Sequence, residues 1–229
     1  MAAITMAIDH LALIHLLRLA SPSLPVGAFA YSQGLESACD ANRVYDEHSA
    51  GDWIAGVLEH SIGFLDLPLA CRLYDGWVDG GAKVSHYNER LLCGRETSEL
   101  RAEERQMGRS LAKLLVDLGV DSAALWRDHR DTTFANMFML AAVRWEIPRQ
   151  AALTGLAWSW ADNQITAAVK LVPLGQTSAQ RLSVRFAKLL QQVVIQAGDL
   201  SDDELAGALP GAIIASARHE TQYSRLFRS

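Results

Sequence analysis

The segment Arg95–Leu115, RETSELRAEERQMGRSLAKLL, decides the fold class of this chain. From Leu100 onward its main apolar residues recur at spacings of seven, four and three, and the pattern continues to Leu118. These spacings place the residues on one face of an α-helix. The helical pattern begins near Val84, and Gly119 is a residue type that commonly ends helices. The sequence therefore predicts an amphipathic helical segment over residues 84–118.

Charged residues alternate in sign along the same segment. The acidic ones are Glu96, Glu99, Glu103 and Glu104, and the basic ones are Arg95, Arg101, Arg105 and Arg109. Arg95 and Glu99 are four positions apart, which is the spacing of an ion pair on a helix surface. The favoured interpretation is a solvated, salt-bridged face. A protein-contact face would use the same residues, and paired catalytic carboxylates are the less favoured alternative.

Helical spacing also recurs through the rest of the chain, and turn signals separate the segments. Capping-box patterns at Thr177–Gln180 and Ser201–Glu204 predict helix starts. The predicted helices cover residues 11–20, 32–42, 46–65, 69–78, 84–118, two segments flanking Pro148, 177–196 and a last segment after Pro210. The prediction is one all-α domain over residues 1–229 with roughly ten helices. Residues 1–8 are expected to be flexible, and residues 217–229 to form a partner-binding tail.

The composition favours a soluble protein that binds proteins or small molecules. The 229 residues are half hydrophobic and carry a net charge of −5, so no general attraction to nucleic acid is expected. The three cysteines are isolated, which fits a reducing compartment better than a disulfide framework. No uncharged apolar run reaches the roughly 20 residues that a membrane span needs. We therefore expect a cytoplasmic protein without membrane contact.

The motifs of common catalytic and metal sites are missing from the sequence. No C-x-x-C, H-x-x-x-H, G-x-G-x-x-G or G-x-S-x-G pattern occurs, and the seven histidines are scattered. The segment Val172–Gln180 resembles a P-loop only faintly, because it lacks the Gly-Lys core. Two alternatives stay open at this point. One is a hydrolase that uses Glu103, and the other is an arginine supplied to a partner GTPase.

Two segments suggest protein contacts. The first, Leu19–Ala38, reads LASPSLPVGAFAYSQGLESA, and its prolines and glycines predict a shaped, preordered loop. The second, Ala217–Ser229, is a basic tail that carries Tyr223, Leu226 and Phe227. Arginine and aromatic residues dominate interface hot spots, which favours a binding role over a frayed terminus. A loop that only connects two helices is the competing interpretation of the first segment.

Four segments resemble the urease accessory protein UreF family. They are SPSLPVGAFAYSQGLE (Ser21–Glu36), the charged segment that begins at Arg95, AAVKLVPLGQTSAQR (Ala167–Arg181) and ARHETQYSRLFRS (Ala217–Ser229). They occur in the family's order and span nearly the whole chain. The resemblance implies an all-helical, dimeric protein of the cytoplasm that is not an enzyme and binds no cofactor stably.

The resemblance also implies partners and a role. UreF-like proteins bind a UreD-type (or UreH-type) scaffold and a UreG-type GTPase, and the complex delivers nickel to apo-urease in a GTP-dependent step. On this basis, contact with the GTPase is predicted for Pro25, Gly27, Tyr31, Gln33, Glu36, Lys170 and Gln176. Contact with the scaffold is predicted for Arg218, His219, Gln222, Tyr223, Arg225, Leu226 and Phe227. The alternative is a stand-alone metal carrier whose site is assembled across a dimer.

Overall fold

The computed structural model describes residues 8–229, and these residues form helices and turns without a β-strand. Residues 1–8 are predicted to be flexible. Of these, residues 1–7 lie outside the described residues. The α-helices are α1 (His10–Leu19), α2 (Leu35–Asp40), α3 (Glu47–Val57), α4 (Leu67–Val78), α5 (Val84–Cys93), α6 (Ser98–Asp117), α7 (Ala124–Arg127), α8 (Phe134–Arg144), α9 (Arg149–Leu171), α10 (Gln176–Asp199) and α11 (Pro210–His219). The prediction of an all-α domain with roughly ten helices is confirmed.

Helix α8 forms the centre of the main core. Its residues Ala135–Ala142 are all buried, and the helix packs against α4, α6 and α9. Phe138 is fully buried, and a side chain of this size contributes about 2–3 kcal/mol when it leaves water. Helix α10 packs against α9 and α4 and closes the core on its other side. The remaining helices surround this centre.

Helices α3 and α4 are two ends of one continuous helix, Glu47–Val78. The predicted break between the helices at residues 46–65 and 69–78, which rested on Pro68, is therefore wrong. The nine residues Leu58–Asp66 are π-helical, and Pro68 lies two positions further on, in the first turn of α4. Proline lacks an N–H donor and clashes with the carbonyl four positions earlier, so the wider π-helical turn accommodates it without breaking the helix. By length and composition this helix could cross a membrane, but 61% of its apolar window is buried inside the fold.

The predicted helical segment 84–118 is divided into α5 and α6. The break lies at residues 94–97, where Thr97 has an extended backbone and its side chain accepts a hydrogen bond from the amide of Leu100. Threonine is a favourable N-cap because this bond satisfies one of the free amides of the first turn. Arg95 therefore lies outside α6 and does not pair with Glu99 along a helix.

The two predicted capping boxes differ in outcome. Ser201 and Glu204 form the reciprocal bonds of a capping box around a short 3₁₀ turn. Thr177 and Gln180 do not, because α10 begins one residue earlier, with Gly175 as its N-cap. A motif alone cannot fix the first helical residue, since neighbouring positions compete for that place.

Helices α2 and α11, from opposite parts of the sequence, pack closely against each other. Gly34, at the start of α2, permits this approach: a Cβ at this position would lie 2.7 Å from the amide nitrogen of Ser216. Leu35, Ala168, Ala215 and Phe227 belong to a second, smaller hydrophobic cluster beside these helices. This cluster brings the N-terminal loop and the C-terminal tail to the same place.

Candidate functional site

The N-terminal loop, defined as residues 20–34, connects α1 to α2. Gly27 has a φ of 81° and precedes a 3₁₀ turn at residues 28–30. Gln33 and Gly34 also have positive φ, 53° and 83°. Two successive left-handed residues cannot begin an α-helix, so α2 starts at Leu35. The predicted start near Ser32 is therefore wrong. The positive φ angles of Gly27, Gln33 and Gly34 therefore shape the loop together with its prolines.

The C-terminal tail, defined as residues 220–229, turns back from α11 and lies beside this loop. The amide of Arg228 donates to the carbonyl of Ala30 at 2.8 Å, and the amide of Ser32 donates to the carbonyl of Ser229 at 2.8 Å. The hydroxyl of Ser32 donates to the same carbonyl. The tail thus contacts the chain's own loop through main-chain hydrogen bonds.

Glu36, in the first turn of α2, holds the tail by hydrogen bonds to its main chain. Its carboxylate accepts the amide of Leu226 at 2.6 Å and the amide of Phe227 at 2.9 Å. Its Oε2 atom also lies 3.1 Å from Nε2 of His219. A buried carboxylate requires several such donors, because an unpaired charge inside a protein is very costly. Glu36 is therefore a structural partner of the tail.

His219, the last residue of α11, is completely buried between two carboxylates. Its Nδ1 atom lies 2.7 Å from Oε2 of Glu99, opposite the contact with Glu36. Both ring nitrogens of this histidine therefore lie within hydrogen-bonding distance of a carboxylate oxygen. Glu99 also accepts from Arg225 at 2.7 Å. The four side chains form one ion-pair network across α2, α6, α11 and the tail.

Glu103, on α6, connects the loop directly to the tail. It accepts from Nε2 of Gln33 at 2.7 Å and from the hydroxyl of Ser229 at 2.9 Å. Burial raises the pKa of this carboxyl to about 7, although the two hydrogen bonds act in the opposite direction. Gln33 in turn accepts from Nε1 of Trp160 at 2.7 Å. We call the assembly of Gln33, Glu36, Glu99, Glu103, His219 and residues 225–229 the loop–tail junction.

The expectation of a solvated face on the charged helix is wrong for two of its four acids. Glu103 and Glu104 are buried, and their partners come from distant parts of the chain. Arg95 pairs with Asp66 and Glu104, with its side chain 15% exposed. Asp66 offered no recognisable signal in the sequence, because its partner lies 29 positions away. The interpretation as a salt-bridged face assumes that neighbours in sequence are neighbours in space, and for Arg95, Glu103 and Glu104 they are not.

The residues predicted to contact the GTPase are divided between the interior and the surface. Tyr31 and Glu36 are buried, Gln33 and Gly27 are partly buried, and Pro25, Lys170 and Gln176 are exposed. The Nζ atom of Lys170 lies 5.5 Å from the ring centre of Phe227, which is close enough for a cation–π contact. Lys170 therefore adjoins the loop–tail junction, whereas Gln176 begins α10 and forms no side-chain hydrogen bond within residues 8–229.

The residues predicted to contact the scaffold are divided in the same way. His219 and Phe227 are buried within the chain, and Gln222 is partly buried. Tyr223 is fully exposed, and Leu226 is 65% exposed. Arg218 and Arg225 are exposed beside them. The tail therefore uses one set of side chains to attach itself and presents another set to solvent.

A metal site is not evident in the part of the chain that the structure describes. No three His, Cys, Asp or Glu side chains of residues 8–229 form a group that could hold a metal ion. Cys71 is buried, and burial raises the pKa of its thiol to about 11, which disfavours the thiolate that metals bind. The site that the geometry does present is a polar junction with an exposed aromatic and basic rim.

Comparison with known proteins gives this junction a family context. Residues 44–187 match the family model described as UreF. This chain belongs to the UreF family. It is 47% identical to the urease accessory protein UreF of Chromohalobacter salexigens over 223 residues, which cover 96% of each chain. It is 44% identical to the UreF of Alkalilimnicola ehrlichii over 213 residues, which cover 93% of each chain.

The UreF resemblance predicted from four motifs is therefore confirmed over nearly the full length. A third relative, the UreF of an Azoarcus species, is 48% identical over 225 residues. UreF is a non-catalytic, chaperone-type family of urease accessory proteins, so this chain has a general role in urease maturation and is not an enzyme. The family match covers residues 44–187, so Glu99 and Glu103 are the members of the loop–tail junction that lie inside it.

Proposed function

We propose that this UreF-family chain is an adapter in a nickel-delivery complex. It binds a UreD-type (UreH-type) scaffold and a UreG-type GTPase, regulates the GTPase, and thereby helps to insert nickel into apo-urease in the cytoplasm. Nickel is the cargo of the complex and is not held stably by this chain. The observation that carries the proposal is the loop–tail junction, in which two motifs of the family resemblance form one structural unit.

The junction supports the proposal because it connects two surfaces of different character. Pro25 is exposed on the N-terminal loop and Lys170 is exposed over the ring of Phe227, while Tyr223 and Leu226 are exposed on the tail. Exposed aromatic and apolar side chains with adjacent arginines are typical of binding hot spots. The loop side is assigned to the GTPase and the tail side to the scaffold.

Glu36 gives these two surfaces a physical connection. It lies in the first turn of α2, directly after the loop, and it accepts two tail amides. A partner that moves the tail therefore changes the hydrogen bonds at the start of α2 and the position of the loop. Tyr31, Gln33 and Glu36 act as positioning residues in this scheme, whereas Pro25, Lys170 and Gln176 contact the GTPase directly.

The exposed face of α1 supports the proposed homodimer. Leu11, Ile14 and Leu17 are each more than half exposed and occupy one face of this helix. A second copy of the chain would remove this apolar stripe from water, which favours association. Light scattering on the isolated chain tests this part, with Leu17→Glu expected to yield monomers and the conservative Leu17→Met expected to leave the dimer intact.

Co-purification tests the adapter role. The untagged chain is expressed with a tagged UreD-type scaffold and a UreG-type GTPase, and the eluate is analysed by size exclusion with light scattering. Stoichiometric co-elution with two copies of this chain is expected. Tyr223→Ala is expected to reduce scaffold binding at least tenfold while the chain stays folded. A folded chain that elutes alone would contradict the proposal.

Nickel dialysis tests the alternative of a stand-alone carrier. The proposal predicts that the isolated chain retains no stoichiometric nickel after equilibrium dialysis at physiological ionic strength. Retention of one nickel ion per dimer, lost on replacement of an exposed histidine or Cys93, would favour a site assembled across two copies. The residues described here offer no three-ligand group for such a site within one chain.

A further inference from the structure

A cavity of about 130 Å³ lies beneath the N-terminal loop, and Gln33 and Glu103 of the loop–tail junction are among its lining residues. Its walls come from the end of α1, the loop, the π-helical segment, α6, the start of α8 and α9. The apolar part of the wall includes Leu19, Val26, Ile62, Met107 and Leu156. A cavity of about 150 Å³ is large enough for a six-carbon ligand such as benzene, so a ligand of similar size fits here.

The polar part of the wall is strongly acidic. Four carboxylates, those of Asp66, Glu103, Glu104 and Asp162, line the cavity, and Arg95 is the one cationic side chain among the lining residues. Burial raises the pKa of Glu103 and of Asp162, as expected for carboxyls with too few cationic neighbours. Even with Glu103 protonated, the wall carries more negative than positive charge.

The hydrogen bonds of the three buried carboxylates leave one oxygen free. Glu104 accepts the amide of Phe134 at 2.8 Å and the guanidinium of Arg95 at 2.8 Å. Both oxygens of Glu103 have partners in the loop–tail junction. Asp66 Oδ1 accepts from Arg95, but Asp66 Oδ2 is buried and has no hydrogen-bond partner. An unsatisfied buried carboxylate oxygen is rare and calls for a donor.

We propose that this cavity binds one aliphatic cation, an ammonium or guanidinium group on a chain of about four or five carbons. Asp66 Oδ2 accepts a hydrogen bond from the cationic head, and the apolar wall contacts the stem. A free alkylamine and the side chain of a lysine or arginine from another protein share this chemistry. A divalent metal fits less well, because the four carboxylates do not form a three-ligand group and much of the wall is apolar.

The inference goes beyond the proposed function and does not depend on it, so it can be tested on the isolated full-length chain. The probe is n-pentylammonium, titrated while the indole N–H resonance of Trp160 is followed by NMR. Trp160 lines the cavity and donates to Gln33, and Trp160→Phe assigns its resonance. A saturable shift with a dissociation constant on the order of millimolar is expected for a ligand of about six heavy atoms.

Two comparisons show whether charge recognition is responsible. The neutral analogue n-pentanol is expected to bind at least about tenfold more weakly, since it cannot satisfy a buried carboxylate as a charged donor does. Asp66→Asn keeps the oxygen that faces Arg95 and is expected to weaken n-pentylammonium binding about tenfold or more. Should this variant be unstable, Asp162→Asn at a half-buried position provides a second test, with a smaller loss expected.

Several outcomes would overturn the proposal. These are equal binding of n-pentanol and n-pentylammonium, unchanged binding in both variants, or nickel binding that is tighter than amine binding and is lost in Asp66→Asn. The source of the cation is tested with Nα-acetyl-lysine N-methylamide, which carries a peptide backbone. Binding of this compound favours a protein side chain as the occupant. Binding of n-pentylammonium alone favours a free amine.

Discussion

The Nε2 atom of His219 lies 3.1 Å from the Oε2 atom of Glu36, although 183 positions separate the two residues in the chain. The contact is buried, and the tail amides of Leu226 and Phe227 bind the same carboxylate. The N-terminal segment Ser21–Glu36 and the C-terminal segment Ala217–Ser229 therefore pack together as one structural unit. The first prediction follows directly from this contact.

Glu36→Gln is expected to loosen the tail. Glutamine offers one acceptor oxygen in place of two, so a tail amide or His219 loses its partner inside the protein, at a cost of about 2–3 kcal/mol. Urea unfolding is expected to show this loss, and hydrogen exchange at Leu226 and Phe227 is expected to accelerate. Glu96→Gln, at an exposed position, serves as the control. Unchanged exchange in the tail would show that Glu36 does not hold it.

Gly34→Ala is expected to destabilise the protein far more than Gly27→Ala. Both glycines have a φ close to 80°, so each substitution carries the left-handed penalty of about 1–2 kcal/mol. Only at Gly34 does a new Cβ meet other atoms, at 2.7 Å from the backbone of Ser216, while the space around Gly27 is open. The difference between the two unfolding free energies therefore measures the close packing of α2 on α11. Equal values would contradict this packing.

Phe227 and its neighbour Leu226 are expected to behave differently on truncation. Phe227 is 6% exposed and belongs to the smaller hydrophobic cluster, so Phe227→Ala is expected to cost about 3 kcal/mol. Leu226→Ala removes a side chain that lies mostly in solvent and is expected to change stability by less than about 0.5 kcal/mol. Thermal and urea unfolding test both. A large loss of stability from Leu226→Ala, with little loss from Phe227→Ala, would indicate that Leu226 and not Phe227 packs against the protein.

Much of the fold follows from the sequence, because helix spacing depends on neighbours three and four positions apart. The junction does not, since its contacts join residues far apart in the chain. Glu103 illustrates the difference: its neighbours in sequence suggest a solvated helix face, while its actual partners are Gln33 and Ser229. Gln33 is a second example, because its φ of 53° is left-handed although the residue is not a glycine, and its neighbours in sequence give no signal for this conformation.

The raised pKa of Glu103 predicts a pH dependence of stability. Burial raises this pKa from 4.5 to about 7 in the folded chain, so between these values the folded state binds a proton that the unfolded state has released. Stability from this group is fully present below about pH 4.5 and is lost as pH rises to about 7, by up to about 3 kcal/mol. Glu103→Gln, which stays neutral, is expected to flatten the unfolding free energy over this range. An unchanged pH slope in the variant would contradict the assignment.

The main-chain contact between Ser32 and Ser229 spans 197 positions, and this has a consequence for protein synthesis. At roughly 5–20 residues per second, on the order of 10–40 s separate the appearance of α2 from that of the tail. During this interval Glu36 has neither His219 nor the tail amides as partners. The carboxylate of Glu36 therefore gains these partners only after the tail has been synthesised.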